Sequence, residues 1–127
     1  MPSTTPNSKA KNIGFWIISI LGALPFIGAG LSKLSSQPMM VAEFTHWGFP
    51  LWFMTFTGIT EIVGAILLIV PKSRVYGGIL LFVTMFVALI VHIVNGEISA
   101  AIAPIILAIL PVTAGYFQFK RNGQKLS

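Results

Sequence analysis

The chain has 127 residues, of which 55% are hydrophobic and 9% are charged, and its mean hydropathy is +0.88. A soluble domain of this length could not bury so much apolar surface, whereas a lipid bilayer can cover it. The composition therefore excludes an ordinary soluble enzyme and indicates an integral membrane protein of one domain. The chain has no cysteine, which excludes disulfides, thiol catalysis and cysteine-ligated metal sites.

Four apolar segments follow residues 1–12, a polar stretch rich in proline and serine that we expect to be a disordered cytoplasmic tail. Each segment is close to the ~20 residues that a helix needs to cross ~30 Å of hydrocarbon. The predicted transmembrane helices are residues 13–34, 50–70, 75–95 and 98–119, followed by a basic cytoplasmic tail at 120–127. The first is too long for the apolar region of a usual signal peptide and lacks a clear cleavage site, so we expect it to be retained.

The links between the later helices are short, which makes neighbouring helices antiparallel. The sequence therefore predicts an all-α membrane protein, an up-down antiparallel four-transmembrane-helix bundle. The longest connection, residues 35–49, lies on the predicted outer side, and Pro38–Trp47 within it is expected to form a short interfacial helix. Trp47 and Trp52 fit an aromatic belt at the headgroup level.

The basic residues lie almost entirely at one end of this bundle. Seven of the eight belong there: Lys9, Lys11, Lys72, Arg74, Lys120, Arg121 and Lys125. Only Lys33 lies at the other end. By the positive-inside rule both termini are expected in the cytoplasm. The net charge of +5 thus reflects topology and attraction to anionic lipids, and requires no nucleic-acid partner.

Glu61 is the one charged residue in the second apolar segment. A carboxylate near the middle of a membrane-length helix is costly unless it is neutralised or solvated, so by default it marks a site. Helical spacing places Glu61 on a face with Gly58, Gly64 and Ala65, opposite a face of β-branched hydrocarbon. We therefore expect it to point into the bundle, ~16 Å below the outer boundary at ~1.5 Å per residue.

Other ionisable residues converge on the same region. His92 shares a helical stripe with Gly77, Leu81, Met85 and Ala88, and Lys33 closes the first helix at the outer level. Lys33, Glu61 and His92 are predicted to surround a cavity in the outer half of the bundle. Glu43 and His46, from the outer loop, are expected to cover it as further candidate ligand-binding residues.

Each of these residues also has a purely structural interpretation. Glu61 pairs with Lys33 or His92 as structural glue, or is protonated and bonded to Thr57 or Thr60. Lys33 is then a snorkelling end-anchor, His92 a satisfied interior histidine, and the two loop residues solvated surface groups.

No metal site and no catalytic residue are predicted. No H-x-x-x-H or E-x-x-H pair lies on one helix face in the membrane, and the spacing of Glu43 and His46 in a loop is common by chance. The chain has no aspartate, so a Ser-His-Asp set is excluded. We expect that the protein is not an enzyme by itself.

Four motifs resemble one known family. They are the segment 30–34 (GLSKL), the helix start at 47–50 (WGFP), the segment 58–68 (GITEIVGAILL) and the spacing of Met85, Ala88 and His92. Across roughly residues 13–118 the chain resembles the DoxX-like membrane proteins. The resemblance implies a four-helix protein of the bacterial-type inner (plasma) membrane, with Lys33, Glu61 and His92 as its polar centre. The family includes a subunit linked to thiosulfate oxidation with quinone reduction, proteins near cytochrome systems, and distant relatives that assist receptor assembly or cargo export.

Two functions are consistent with these observations. The first is a redox-linked accessory subunit that binds a quinone or other lipophilic ligand in the outer-half cavity, with a partner supplying the electrons. The alternative is a non-catalytic assembly factor or chaperone that binds a client transmembrane helix. Small-solute transport is less favoured, because the chain shows no internal repeat and four helices leave little room for a wide pore. The partners expected are the lipid bilayer, a lipophilic small molecule, and a membrane protein or a second copy of the chain.

Overall fold

The computed structural model describes residues 6–126, and this part of the chain is helical throughout apart from short turns. The helices are α1 (Pro6–Leu34), α2 (Pro38–His46), α3 (Leu51–Ile69), α4 (Arg74–Val94) and α5 (Ile102–Leu126), with a 3-10 turn at Pro71–Ser73. All but α2 are long and apolar enough to cross a membrane. The predicted all-α, four-transmembrane-helix bundle, with a short helix after the first transmembrane helix, is confirmed.

The first and last helices differ from their predicted bounds. α1 begins at Pro6 instead of residue 13, because proline suits the first turn of a helix and residues 7–12 contain no helix breaker. Residues 6–12 are thus helical, and residues 1–5 of the predicted tail lie outside the described residues. α5 continues through residues 120–126, and it starts at Ile102 instead of 98. That start leaves Pro104 in the first turn, where its missing N–H removes no helical hydrogen bond.

The four long helices form a ring. α1 packs against α3 and α5, and α4 packs against the same two helices from the other side. The N-termini of α1 and α4 and the C-termini of α3 and α5 lie together, and we call this the basic end. The opposite end, with α2 and the α4–α5 link, holds Glu43 and Glu97 and is called the carboxylate end.

One face of α3 is buried in the bundle and the opposite face is exposed, as their composition predicts. The buried side chains are Met54, Gly58, Glu61, Gly64, Ala65 and Leu68. Ile59, Val63, Ile66 and Val70 are instead exposed on the outer surface of the bundle, where lipid would cover them. Glu61 therefore points inward, as the sequence predicts.

Three helices at the carboxylate end stop in the same way, with a residue of positive φ after the last turn. These residues are Ser36 after α1, Gly48 after α2 and Gly96 after α4. After α4, Gly96 N–H donates to Ile93 O at 3.0 Å and Glu97 N–H donates to His92 O at 2.8 Å, the two bonds of a Schellman motif. The motif reverses the chain sharply and turns Glu97 back toward the helix it has just left.

Arg74, counted above only as one of the basic residues at this end, is buried in the structure. Its side chain is 1% exposed at the basic end. The Nε and Nη2 groups donate to Leu68 O and Ile69 O, each at 2.9 Å, and Nη1 donates to Gln118 Oε1 at 3.0 Å. The guanidinium therefore satisfies the last carbonyls of α3, where a cation is favoured by the helix dipole, and ties α3 and α4 to α5.

Glycines allow the helix backbones to approach closely at three crossings. A Cβ atom on Gly30 would lie 2.8 Å from Gly58 O, where α1 crosses α3. One on Gly77 would lie 2.8 Å from Gly64 O, where α4 crosses α3, and Gly78 faces Gly115 of α5. Small residues at such crossings are the usual means by which membrane helices pack tightly.

We expect Gly77→Ala to destabilise the bundle by about 1–3 kcal/mol, because the added methyl group meets backbone atoms of α3 that cannot move independently. Gly28→Ala is the matched control, since a Cβ there meets no atom within 4 Å. Thermal unfolding in detergent should show a lower Tm for Gly77→Ala alone. Equal Tm values for the two variants would contradict the tight α3–α4 crossing.

Candidate functional site

A buried ion pair joins α1 to α3 in the carboxylate half of the bundle. Lys33 Nζ lies 2.7 Å from Glu61 Oε1, and the two side chains are 12% and 3% exposed. The glycine crossing beside it makes this geometry possible. A Cβ on Gly58 would come within 2.9 Å of Lys33 Cβ, so only glycine leaves room for the lysine stem to descend toward Glu61.

Glu61 keeps unused acceptor capacity. The Lys33 ammonium contacts its Oε1 atom at 2.7 Å, and no other described side chain forms an ion pair with this carboxylate. Thr57 and Thr60 do not donate to it, because their hydroxyls donate to the carbonyls of Phe53 and Phe56 on their own helix, at 2.8 and 2.9 Å. A ligand with a hydroxyl or N–H group would therefore find an acceptor here.

The ion pair lies in the wall of a cavity of about 510 Å³. Lys33, Glu43, Glu61 and His92 all line this cavity. The other lining side chains are mainly apolar: Ala29, Met40, Phe44, Trp47, Phe49, Phe53, Phe56, Leu80, Val83, Met85, Val87, Ala88, Val91, Ala103, Pro104 and Leu107, together with Thr57, Thr60 and Thr84. Its volume lies in the ~300–1,000 Å³ range of small-molecule sites, and its mostly apolar wall with a few polar groups is typical of them.

A second polar cluster lies at the mouth of this cavity and is centred on Glu97. His92 Nδ1 lies 2.8 Å from Glu97 Oε1, and the Trp47 indole N–H donates to the same oxygen at 3.1 Å. His46 Nε2 is more distant, 3.9 Å from Glu97 Oε2, and its side chain is 68% exposed. His92 therefore pairs with Glu97 and not with Glu61.

α2 covers the cavity through aromatic contacts. Phe44 is 4% exposed, and its ring centroid lies 5.2 Å from that of Trp47 and 6.3 Å from that of Phe53. The Trp47 ring in turn meets His92 edge-on at 5.3 Å. The Trp47–Glu97 hydrogen bond thus joins the end of α2 to the α4–α5 link across the top of the bundle.

Four of the five sequence-predicted residues line one cavity, and that they bind a ligand remains a prediction. His46 is not among the lining residues. Sequence reasoning missed Glu97, which lies in one of the short links between the later helices. The signal was its position directly after Asn95-Gly96, since a glycine that ends a helix returns the next residue toward the helix. Among residues 6–126, no three histidine, aspartate or glutamate side chains are arranged to hold a metal ion.

The Glu97 cluster should make the docking of α2 sensitive to acid. Hydrogen bonding to His92, and then to Trp47, lowers the pKa of the Glu97 carboxyl below its ordinary value. A carboxyl group whose pKa is lower in the folded state contributes to the stability of that state. This stabilisation is complete above the ordinary carboxyl pKa of ~4.3 and is lost as the pH falls through the lowered pKa. We expect the fluorescence of Trp47, with Trp16 and Trp52 replaced by phenylalanine, to report undocking only in that acid range.

Glu97→Gln should remove this acid transition, because an amide does not titrate. Glu43→Gln is the matched control and should preserve it, since Glu43 has no contact with Trp47 of the kind that Glu97 makes. Persistence of the transition in Glu97→Gln would show that another group controls the docking of α2.

Comparison with known proteins places the chain in a family. The model that describes the DoxX-like family matches residues 17–114, which include the ion pair, α2 and His92. The chain is also similar to the uncharacterized protein YdgD of Bacillus subtilis (strain 168). The two are 33% identical over 87 residues, which cover 68% of this chain and 75% of that protein. No solved structure matches the chain. The chain belongs to the DoxX-like family of membrane proteins.

Proposed function

We propose that this protein is a redox-linked accessory subunit whose cavity binds a lipophilic molecule with a polar head, of the quinone class. The observation that carries the proposal is the buried Lys33–Glu61 pair in the wall of a mainly apolar cavity of about 510 Å³. A small lipophilic ligand needs such a combination, an apolar volume for its ring and tail and a few placed polar groups for its head.

The chemistry of the pair suits a quinone in both of its redox states. The Lys33 ammonium has three N–H donors, one of which suffices for a quinone carbonyl oxygen. The Glu61 carboxylate accepts hydrogen bonds only, which suits the hydroxyl group of the reduced hydroquinone. Oxidation of a hydroquinone removes two electrons and releases two protons. In the proposal Glu61 accepts one of these protons, and the other passes to water. The chain offers no ligand set for a redox metal among its described residues, so a partner protein would supply or remove the electrons.

The bilayer offers a route to the cavity. Phe56 of α3 and Val83 and Val87 of α4 line the cavity, yet they are 58%, 50% and 44% exposed on the outside of the bundle. These side chains therefore belong both to the cavity wall and to the surface that lipid would cover. This supports lateral access between α3 and α4, which a membrane-dissolved ligand would use without entering water.

The alternative function is a non-catalytic assembly factor or chaperone that binds a client transmembrane helix. One observation favours it, namely that Lys33 and Glu61 already neutralise each other within the bundle, so no ligand is required to compensate a buried charge. In that case the pair would stabilise the α1–α3 contact, and the apolar cavity would receive side chains of the client.

We also propose that the basic end faces the cytoplasm of a bacterial-type inner (plasma) membrane, with both termini on that side. The support is the distribution of charge along the helices. Lys11, Lys72, Arg74 and Lys120 all belong to the basic end, whereas Lys33 is paired with Glu61 in the other half. Such an excess of lysine and arginine marks the cytoplasmic side of membrane proteins.

Quenching of tryptophan fluorescence by a short-tailed benzoquinone tests the ligand proposal, because Trp47 lines the cavity. The experiment uses the full chain in neutral detergent, with Trp16 and Trp52 replaced by phenylalanine. Saturable quenching is expected with the benzoquinone and with its reduced hydroquinone. Glu61→Gln should raise the Kd of the hydroquinone about tenfold, because the hydroquinone hydroxyl loses one charge-assisted hydrogen bond to the carboxylate. Lys120→Gln, an exposed change remote from the cavity, should leave the Kd unchanged. Quenching that does not saturate would refute the quinone proposal.

A further inference from the structure

A second cavity, of about 250 Å³, opens at the basic end between α1, α4 and α5. Its polar lining consists of Asn12, Arg74, Gln118 and Arg121, with Trp16 beside them. It is separate from the ligand cavity described above and shares no residue with it. A water molecule occupies ~30 Å³ in the liquid, so this space has room for a group of several heavy atoms.

Both charged side chains that line this cavity are positive. Arg74 and Arg121 both line it, so two positive charges share a cavity of about 250 Å³. The chain has three acidic side chains, Glu43, Glu61 and Glu97, and none of them belongs to the basic end. When two guanidinium groups share a cavity without a side-chain carboxylate, the binding of an anion between them is electrostatically favourable.

The two arginines have different capacities to bind that anion. Arg74 already donates to two α3 carbonyls and to Gln118, so it is fixed in place and supplies mainly its charge. The Arg121 guanidinium lies 5.2 Å above the Phe15 ring and donates no hydrogen bond to any described residue. Its planar set of N–H donors is therefore available for two parallel hydrogen bonds, the geometry with which arginine binds phosphate.

The position of the cavity points to a lipid as the source of the phosphate. Arg74 contacts the last carbonyls of α3, and Arg121 lies near the end of the apolar part of α5. Both are therefore at the level where a membrane-spanning helix leaves the hydrocarbon, which is where phospholipid phosphates lie. Basic pockets between transmembrane helices at this level bind anionic lipid headgroups.

We infer that this cavity is a binding site for the phosphodiester group of an anionic phospholipid, held by Arg121 and by the charge of Arg74. The absence of a side-chain carboxylate also selects among headgroups. A zwitterionic headgroup would bring an ammonium group that finds no counter-charge here and is repelled by both arginines, whereas a glycerol headgroup carries no such charge.

Native mass spectrometry of the full chain, delipidated in neutral detergent and titrated with phosphatidylglycerol or phosphatidylcholine of equal acyl chains, tests this site. A single molecule of phosphatidylglycerol is expected to bind, with a Kd lower than that of phosphatidylcholine by about tenfold or more. Arg121→Gln should weaken phosphatidylglycerol binding about tenfold, the loss of a charged, bidentate contact. Lys72→Gln is the matched control, because it removes the same charge at the same end from an exposed residue outside the cavity, and it should change the affinity less than twofold.

Three outcomes would overturn the inference. If Arg121→Gln and Lys72→Gln weakened phosphatidylglycerol binding equally, or if the wild type bound both lipids equally, the binding would reflect only general surface charge. Complete displacement of the lipid by millimolar inorganic phosphate would assign the site to a free anion. Asn12→Leu keeps the test decisive should Arg121→Gln not fold, since it narrows the same cavity without removing a charge and should also weaken phosphatidylglycerol binding.

Discussion

Lys33→Met is expected to destabilise the bundle by about 3 kcal/mol, because it leaves the Glu61 carboxylate buried without its counter-ion. The double variant Lys33→Met/Glu61→Gln should recover most of this loss. Replacing both members of a buried pair by uncharged groups of similar size is often neutral, whereas removing one member is not. The free energy of unfolding, measured by denaturant titration in mixed micelles, gives the coupling between the two residues.

Glu61→Gln completes this double-mutant cycle. A coupling of about 2 kcal/mol or more would establish the pair as a stabilising contact between α1 and α3. If the two single losses simply add in the double variant, the 2.7 Å contact contributes nothing to stability in solution.

Arg74→Leu is the second change with a large expected effect, a loss of about 3 kcal/mol or more. The substitution removes three hydrogen bonds that the charged guanidinium donates. The carbonyl oxygens of Leu68 and Ile69 at the end of α3 then lose their donor. Gln118 loses its donor on α4 at the same time. Arg74→Lys should recover only part of the stability, because an ammonium on a flexible stem does not reproduce the planar arrangement of the guanidinium donors.

Lys72→Leu is the control for Arg74→Leu. It removes the same charge two residues earlier, but the Lys72 side chain is exposed, so the expected change is within about 0.5 kcal/mol. Thermal unfolding of the variants in one detergent gives the comparison. Similar Tm values for Arg74→Leu and Lys72→Leu would show that Arg74 contributes only net charge at this end.

The parts of the structure that follow from helical periodicity and hydrophobicity are predictable from the sequence. The four membrane helices, the inward direction of Glu61 and the short helix α2 all belong to this class, because each depends on residues close together in the chain. The inward face of α3 is set by spacing alone, so it needs no knowledge of what packs against it.

Contacts between distant residues are not predictable in this way. Sequence reasoning placed His92 near Glu61 from depth alone, whereas Gly96 turns Glu97 back and gives His92 a nearer partner. Arg74 is another example. The sequence places it only in the short link between two helices. The carbonyls left at the end of α3 and the Gln118 amide of α5 offer it acceptors only once the helices pack. The prediction of Lys33 near Glu61 rested on two helices meeting, and the Gly30–Gly58 crossing is what brings them together.

Native mass spectrometry of the protein extracted gently from its membrane, for wild type and Glu61→Gln side by side, tests the central claim most directly. We predict that a lipophilic molecule of the quinone class co-purifies with the wild type and is lost from a folded Glu61→Gln variant. A stoichiometric protein partner, with no small molecule retained by the wild type, would contradict the ligand cavity and assign the Lys33–Glu61 pair to helix packing.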